Sequence, residues 1–546
     1  MEPARGGEER SLTSFVHSIG LRKRMRWIQS AGNWLRVLRT GYPAVAGSIA
    51  EARATRPYRM RGWLGDGTSF RPSAFRCRHS DSRCATPTNM MLTRVSGTPP
   101  PVDLRYVRDH LAQVQENIQR RGVDVNATLV VQLYERFCAL TAEVDLVRKQ
   151  RNEVAARMKN MQKLSPEERS ECIALGKQLK ERVTALEAEL AETEQQLYAE
   201  AVRIPNRTHP DAPVGGEDQA RLLRMAGKPR DFTDFSPKDH VELAQRLDIV
   251  DFEAAAKVAG ARFYFLRNAG AMLELALVNW AMQHLTGKHG FIPLIAPDLV
   301  REETVWGCGF QPRGEASQVY SVADTSLCLA GTAEIPLGGY YANEILDETQ
   351  LPIKMAAVSH CFRREAGAAG TETRGLYRVH QFTKVEMFVL SRPEESDRVH
   401  QELRSIEEEL FDALGLHYRV LDMPTRELGN PAYRKFDIEA WMPGRNAFGE
   451  ISSASNCTDY QARRLNIRYR EQVSEKLRFV HTLNATACAV PRMIVSILEN
   501  FQEKDGSVTI PQVLRPFLAG LERIQVPPER HTPSRITEPA GAQPTR

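Results

Sequence analysis

No run of eighteen or more apolar residues occurs in the 546-residue chain, so nothing in it has the length to cross a membrane as a helix. Its nine cysteines are odd in number and scattered from Cys77 to Cys488, with no Cys-x-x-Cys pair. A disulfide scaffold and a zinc ribbon are both disfavoured. A secretory signal is missing too, which leaves Asn-x-Thr triplets such as those at Asn206 and Asn484 without weight as glycosylation acceptors. Lysine is almost absent from the first hundred residues, where Lys23 stands alone among arginines. There, 17 basic residues face 6 acidic ones, a surplus larger than the chain's whole net charge of +5, so the remainder is net acidic. The basicity therefore belongs to the leader rather than to a nucleic-acid-binding chain as a whole.

Within that leader Leu21, Met25, Ile28, Leu35 and Leu38 fall at helical spacing, and Arg22, Arg24, Arg26, Arg36 and Arg39 occupy the other sides. Residues 1–100 accordingly read as an organellar transit peptide, mitochondrial or chloroplast, with a basic RNA-binding arm as the alternative. Glu2, Glu8 and Glu9 are unusual for such a peptide and fit a start further in, at Met25 or Met60.

At 42% apolar residues the rest has ample material for sizeable cores. From Val130 apolar positions step by threes and fours through Leu133, Phe137, Leu140, Val144, Val147, Val154, Met158 and Met161. A second series runs through Cys172, Leu179, Val183, Leu186, Leu190 and Leu197. Between them Ser165-Pro166-Glu167-Glu168 supplies a cap, a proline for the first helical position and a glutamate three residues after the cap. The pattern predicts two helices of about 35 residues folding back as an antiparallel coiled coil within an arm at 102–203. Between Arg148 and Arg182, around the turn, 10 basic residues stand against 5 acidic ones. A dimerisation rod and a grip for a nucleic-acid backbone both fit this.

The stretch Met355 to Leu390 reads strand, loop, strand. Ala356, Val358, His360 and Phe362 alternate in the first strand, and Phe382, Glu386, Phe388 and Leu390 in the second. Arg363 and Glu365 share one face, as do Phe382 and Glu386. Guanidinium groups, carboxylates and an aromatic plate on one sheet face can hold a phosphate, an ammonium and a purine together. An ordinary hairpin with a solvated loop is the plainer alternative. Residues FRREAG followed by TRGLYRVHQFTKVEMF closely resemble the second signature motif of class II aminoacyl-tRNA synthetases, in the version found in seryl-tRNA synthetases. The resemblance implies that Arg363, Arg364 and Glu365 hold ATP, that Val379, His380, Gln381 and Phe382 line the nucleotide site, and that Glu386 receives the α-amino group of serine.

Other segments follow in the family's order. Val102 to Leu197, closing on IPNRTHPDAPVG, resembles the helical hairpin that grips the family's tRNA. After a Pro-rich linker at 204–237, a helix over Phe265 to Leu285 is expected to bury Leu266, Met272, Leu275, Leu277 and Trp280. GFIPLIAPDLV (Gly290 to Val300) then resembles the first class motif, which forms the dimer interface. AGTAEIP resembles the serine-recognition loop, which implies Thr332, Ala333 and Glu334 as substrate contacts. Phe436 to Arg464 implies Glu450 and Ser453 at Mg²⁺, with Ile451 and Ser452 beside the nucleotide, and hydroxyl and carboxylate oxygens do suit that hard cation. A polar turn capping a helix near Thr458 is compatible with this. His481 to Phe517 resembles the third motif, with Arg492 on the γ-phosphate. Pro491 suits a first helical position, and Asp505-Gly506 is expected to end that helix. Here the sequence departs from the usual bacterial pattern, where Asn-Gly-Ser-Gly becomes Asn484-Ala485-Thr486-Ala487 and the glycine before the arginine becomes Pro491. Thr486 keeps the hydroxyl implied to contact serine, and the variant resembles organellar members.

The expected fold is α+β: a class II-type antiparallel sheet flanked by helices over 238–518, preceded by the coiled-coil arm and followed by a disordered tail from 519 to 546. The resemblance implies a homodimer that activates L-serine with ATP and Mg²⁺ and charges tRNA(Ser), with Arg363 and Arg492 catalytic. A serine-adenylating paralogue that charges no tRNA and a non-catalytic tRNA-binding protein remain as alternatives.

Overall fold

The computed structural model describes residues 101–159, 162, 164–311, 317–365 and 374–528; the leader at 1–100 and the tail beyond 528 lie outside them. Two long helices, α1 (Ala127–Lys159) and α2 (Pro166–Ala201), form the hairpin. Ser165 Oγ accepts from the backbone N–H of Glu168 at 3.2 Å, and the Glu168 carboxylate accepts from the N–H of Ser165 at 2.7 Å. The reciprocal cap starts α2 where the sequence indicates. Helices of 33 and 36 residues reach roughly 50 Å at about 1.5 Å per residue. Their seam buries Val130, Leu140, Val144, Val147 and Val154 against Val183, Leu186 and Leu197. Ion pairs such as Arg148–Glu187 at 2.9 Å cross between the helices outside it. Both partners are largely exposed, so the apolar seam does most of the holding.

Two short helices absent from the sequence reading, Leu104–Asp109 and Leu111–Arg121, pack on the root of the rod through Val107, Val114 and Ile118. Arg121 ends the second of them and is 95% buried, with 5% exposure. Its guanidinium donates to the carbonyls of Asn206 (3.0 Å), Ala432 (3.0 Å) and Gly429. A planar fork of five donors suits three converging carbonyls, which a lysine could not span.

The main sheet has eight strands: β1 (Arg221–Ala226), β2 (Ile292–Ile295), β3 (Ile353–Phe362), β4 (Gln381–Ser391), β5 (Tyr418–Asp422), β6 (Arg434–Met442), β7 (Ala447–Asn456) and β8 (His481–Ala489). They lie in the order β1-β5-β6-β7-β8-β4-β3-β2, antiparallel throughout except for the edge pair β2–β3. Helices α3 (Asn268–His289), α4 (Ser396–Leu414) and α5 (Val490–Asn500) join one core with the odd-numbered residues Val385, Met387 and Val389 of β4. Phe382, Lys384 and Glu386 point the other way, because successive strand residues alternate faces. No helix of the described residues is long and apolar enough to cross a membrane.

Four expectations need correction. The linker at 204–237 is not a spacer, since Arg221–Ala226 pairs with β5 at the sheet edge and Asn206 Nδ2 donates to the carbonyls of Pro431 and Cys457 at 2.8 Å each. The six residues RLLRMA lack alternation because five of them are exposed. Order continues past 519, where Arg523–Ile524 pairs with Val508–Thr509. The last helix stops at Asn500, and Asp505-Gly506 forms a later turn in which Gly506 has φ 86°. In α3, Leu277 and Trp280 are buried, but Met272 and Leu275 are 51% and 56% exposed. Those two lie on a face that no described residue covers.

Candidate active site

A cavity of about 300 Å³ opens on the even-numbered face of β4, bounded by β7, β8, the end of β3, the Thr332 loop and Gly429 to Ala432. It brings together Thr332, Glu334, Arg363, Glu365, Val379, Phe382, Glu386, Glu450, Ile451, Ser452, Ser453, Thr486 and Arg492, which are far apart in the chain.

One end is built for a small ammonium compound. Glu334 opens a short helix, and its buried carboxylate accepts from Gln461 Nε2 at 2.6 Å and Asn484 Nδ2 at 2.9 Å. Burial above all, and the charge of Glu386 after it, push its pKa up to about 7. The buried Lys384 ammonium pairs with Glu386 and donates to Thr332 Oγ1 at 3.0 Å and Thr486 Oγ1 at 3.4 Å. Thr486 Oγ1 in turn donates to Glu386 Oε2 at 3.2 Å. Two carboxylates thus share one ammonium, and a ligand cation would restore the balance.

The other end presents cations and an aromatic plate. Arg363 donates from Nε to the carbonyl of Gly331 at 3.2 Å, and its guanidinium lies 5.3 Å from the centre of the Phe382 ring. Glu365, at φ 48°, holds a backbone conformation uncommon for a side chain of its size, and it pairs with Arg378. Arg492, in the first turn of α5, lies over Tyr377 at 4.8 Å and pairs with the Glu450 carboxylate at 3.2 Å. Burial pushes the Glu450 carboxyl up, but Arg492, Lys435 and Arg363 together hold it below the usual range. One arginine at a helix start and another at a strand end, each against an aromatic ring, suit a nucleoside polyphosphate.

Oxygen donors for a hard cation are present. Beside Glu450, Ser453 backs onto Asp437, whose Oδ1 is buried with no hydrogen-bond partner. Burial raises the Asp437 pKa to about 6, against the pull of Lys435 at 3.1 Å. Ser452 Oγ, by contrast, sits 2.7 Å from Glu407 Oε1 and 2.5 Å from the carbonyl of Thr486. One hydroxyl proton cannot serve both acceptors. Burial pushes the Glu407 carboxyl well up, against the hydrogen bond from Ser452, and the hydroxyl between these two acceptors makes Ser452 a strut between α4 and β8.

Four expected contacts fall outside the cavity lining. Ala333 is wholly buried behind Thr332. Arg364 is exposed, with its backbone N–H on the carbonyl of Gln318 at 2.9 Å. The His380 ring stacks on Phe263 at 5.2 Å and meets the Arg363 carbonyl at 3.0 Å, so it braces the arginine's backbone. Gln381 precedes Phe382 on the strand and therefore faces the opposite side, beside His360 and Thr383. The sequence reading missed Lys384, Tyr377, Asn484, Gln461 and Asp437. Only Lys384 had a readable signal, its parity with Phe382 and Glu386. The departures from glycine are accommodated. Ala485, Ala487 and Pro491 all avoid positive φ, and Ala487 sits at a bulge where β8 shifts register against Glu386 and Val385.

Comparisons with known proteins point to one family. Residues 319–501 match the family profile of the tRNA synthetase class II core domain (G, H, P, S and T), and residues 102–208 match that of the seryl-tRNA synthetase N-terminal domain. The chain is 51% identical over 426 residues to the serine–tRNA ligase of Treponema denticola, covering 78% of this chain and all of that one. It is 47% identical to that of Rubrobacter xylanophilus, covering 76% and 97%. A solved seryl-tRNA synthetase from Pyrococcus horikoshii, complexed with ATP, superposes with a TM-score of 0.73 at 41% identity, covering 78% of this chain and all of that one. With the class II core, the N-terminal arm domain and whole-length relatives all in agreement, the chain belongs to the seryl-tRNA synthetases.

Proposed function

We propose that this chain activates L-serine with ATP to seryl-adenylate, releasing pyrophosphate, and transfers the seryl group to the terminal ribose of tRNA(Ser). The observation that carries the proposal is the single cavity with Glu334, Glu386, Lys384 and two threonine hydroxyls at one end and Arg363 and Arg492 at the other. Glu334 and Glu386 receive the serine ammonium, and the threonine hydroxyls and Asn484 are placed to recognise the serine hydroxyl. A site that hydrogen-bonds a hydroxyl rejects alanine, because its buried polar groups would be left unpaired. The serine carboxylate then attacks the α-phosphorus in line, while Arg363 offsets charge on the α-phosphate, Arg492 offsets it on the γ-phosphate, and Phe382 stacks on adenine. No side chain need act as nucleophile, so catalysis is positioning and charge stabilisation. Glu450 and Ser453 would hold Mg²⁺, which supplies further neutralisation of the phosphates.

Ionised Glu334 is what favours an ammonium. KM for serine should therefore rise about tenfold per unit as pH falls below about 7. A constant KM between pH 6 and 8 would remove Glu334 from ammonium recognition.

The basic end of the α1–α2 hairpin is proposed as the tRNA grip. Serine-dependent ATP–pyrophosphate exchange, with alanine, threonine and glycine as controls, tests the whole reading. Trimming the hairpin back from its turn should keep exchange within about twofold and cut tRNA charging by about a hundredfold or more, as lost backbone contacts require. Exchange without charging in the intact chain would favour the adenylating paralogue, and no exchange at all a non-catalytic tRNA binder.

The finer assignments extend the same reading. Exposed Ile292, Ile295, Leu299, Met272 and Leu275 suit a homodimer face, with Ile295 90% exposed. Residues 1–100 precede the arm domain and have a transit-peptide composition, so work in the mitochondrial matrix or a chloroplast is proposed. Sedimentation at the single-chain mass, or a reporter left in the cytosol by residues 1–100, would overturn these two assignments.

A further inference from the structure

Away from the cavity, His284 and His289 on the last turns of α3 and Glu409 of α4 point at one another, the one such convergence of metal-ligating groups among the described residues. Glu409 Oε2 lies 3.2 Å from His284 Nε2 and 2.9 Å from His289 Nε2. The imidazole rings are 5.2 Å apart. Donor atoms on a tetrahedral zinc ion, with bonds near 2.0–2.1 Å, stand about 3.3 Å from one another. The carboxylate oxygen thus already stands near ligand spacing from each ring, and the three ligand atoms lie within 4.8 Å of one another. The two rings are mostly covered by protein, and the carboxylate is 37% exposed, which leaves a side open to a water ligand. Lys288 Nζ shares the same carboxylate oxygen at 2.7 Å, but its side chain is 58% exposed and free to swing into solvent. The carboxyl end of α3, capped at Gly290 with φ 69°, adds carbonyl partial charges that favour a cation.

We propose that His284, His289 and Glu409 form a binding site for a zinc-class divalent ion that staples α3 to α4. Imidazole nitrogens with one carboxylate suit zinc better than the hard cations of the phosphate site. The ion fixes the chain just before it enters β2, the edge strand carrying Ile295. Each neutral imidazole carries its one proton on Nδ1 and gives its Nε2 lone pair to the metal, any second ring proton is released to water, and no bond other than the metal–ligand bonds is formed.

The full chain, stripped of metal, would be titrated with Zn²⁺ against a chromophoric chelator, and with Co²⁺ by absorption. The variants are His284→Asn, His289→Asn and Glu409→Gln, none of which touches the cavity. Wild type should bind one more zinc than each variant, or bind it at least about tenfold more tightly. Zinc should raise the thermal midpoint of the wild type alone, and Co²⁺ should give ligand-field bands lacking thiolate charge transfer. Equal stoichiometry and affinity in all four proteins would overturn the site. So would a Co²⁺ signal of thiolate character shared by all of them, which would place the metal on cysteines such as Cys77, Cys84, Cys138 or Cys172.

Discussion

Arg363→Ala should lower serine-dependent pyrophosphate exchange by about a thousandfold, equivalent to roughly 4 kcal/mol of transition-state stabilisation, while leaving the unfolding midpoint near that of the wild type. The guanidinium stands at the end of β3, held from below by the Phe382 ring and from the side by the Gly331 carbonyl. Its remaining donors face the cavity, where charge gathers on the α-phosphate oxygens during attack. Pre-placed charge costs no reorganisation when the reaction occurs, so its removal falls mainly on the chemical step. Arg363→Lys should recover only part of the loss, because a point charge cannot reproduce a two-pronged contact. Activation by Arg363→Ala within tenfold of wild type would sink this assignment.

Lys384→Met should act on folding and on serine together. The ammonium is 6% exposed and is the side chain nearest to Glu386. Its removal leaves Glu386 buried beside Glu334 without a direct counter-ion, and breaking such a pair costs about 3–5 kcal/mol. The variant's acidic pair would take up a proton on folding. Burial already pushes the Glu334 carboxyl up to about 7, so the deficit should be largest above neutral pH and shrink as the pH is lowered. Urea unfolding at pH 6 and pH 8 reads that slope, and kcat/KM for serine should fall by about a hundredfold in parallel. Equal stability loss at both values would mean that Lys384 acts by packing rather than by charge.

How much of this could be read in the chain depended on distance along it. Strand parity alone aligned Phe382 with Glu386 and Arg363 with Glu365, and the Ser165 cap marked the turn of the rod, because alternation and capping are local rules. The same parity argument, applied one residue further, places Gln381 on the wrong face for a nucleotide and Lys384 on the right one. Gln461 and Asn484, which hold the Glu334 carboxylate, come from 127 and 150 residues away. No spacing rule reaches them. Helical periodicity located α3 but could not tell its two apolar faces apart, since Leu277 meets the sheet and Leu275 meets solvent. Edge strand β1 escaped notice because its residues lack the alternation of a half-buried strand.

Arg121 has a mechanical meaning. The helix it ends packs on the root of a rod roughly 50 Å long, and the carbonyls it grips include those of Gly429 and Ala432, which wall the cavity. The hairpin is therefore a lever whose fulcrum is part of the binding chamber. A sideways load at its far end reaches that wall through the Arg121 guanidinium, while Arg464 on the carbonyl of Val202 and Thr425 on the carbonyl of Arg120 share the hinge, so the displacement delivered there is smaller than that at the tip by the ratio of the two lever arms.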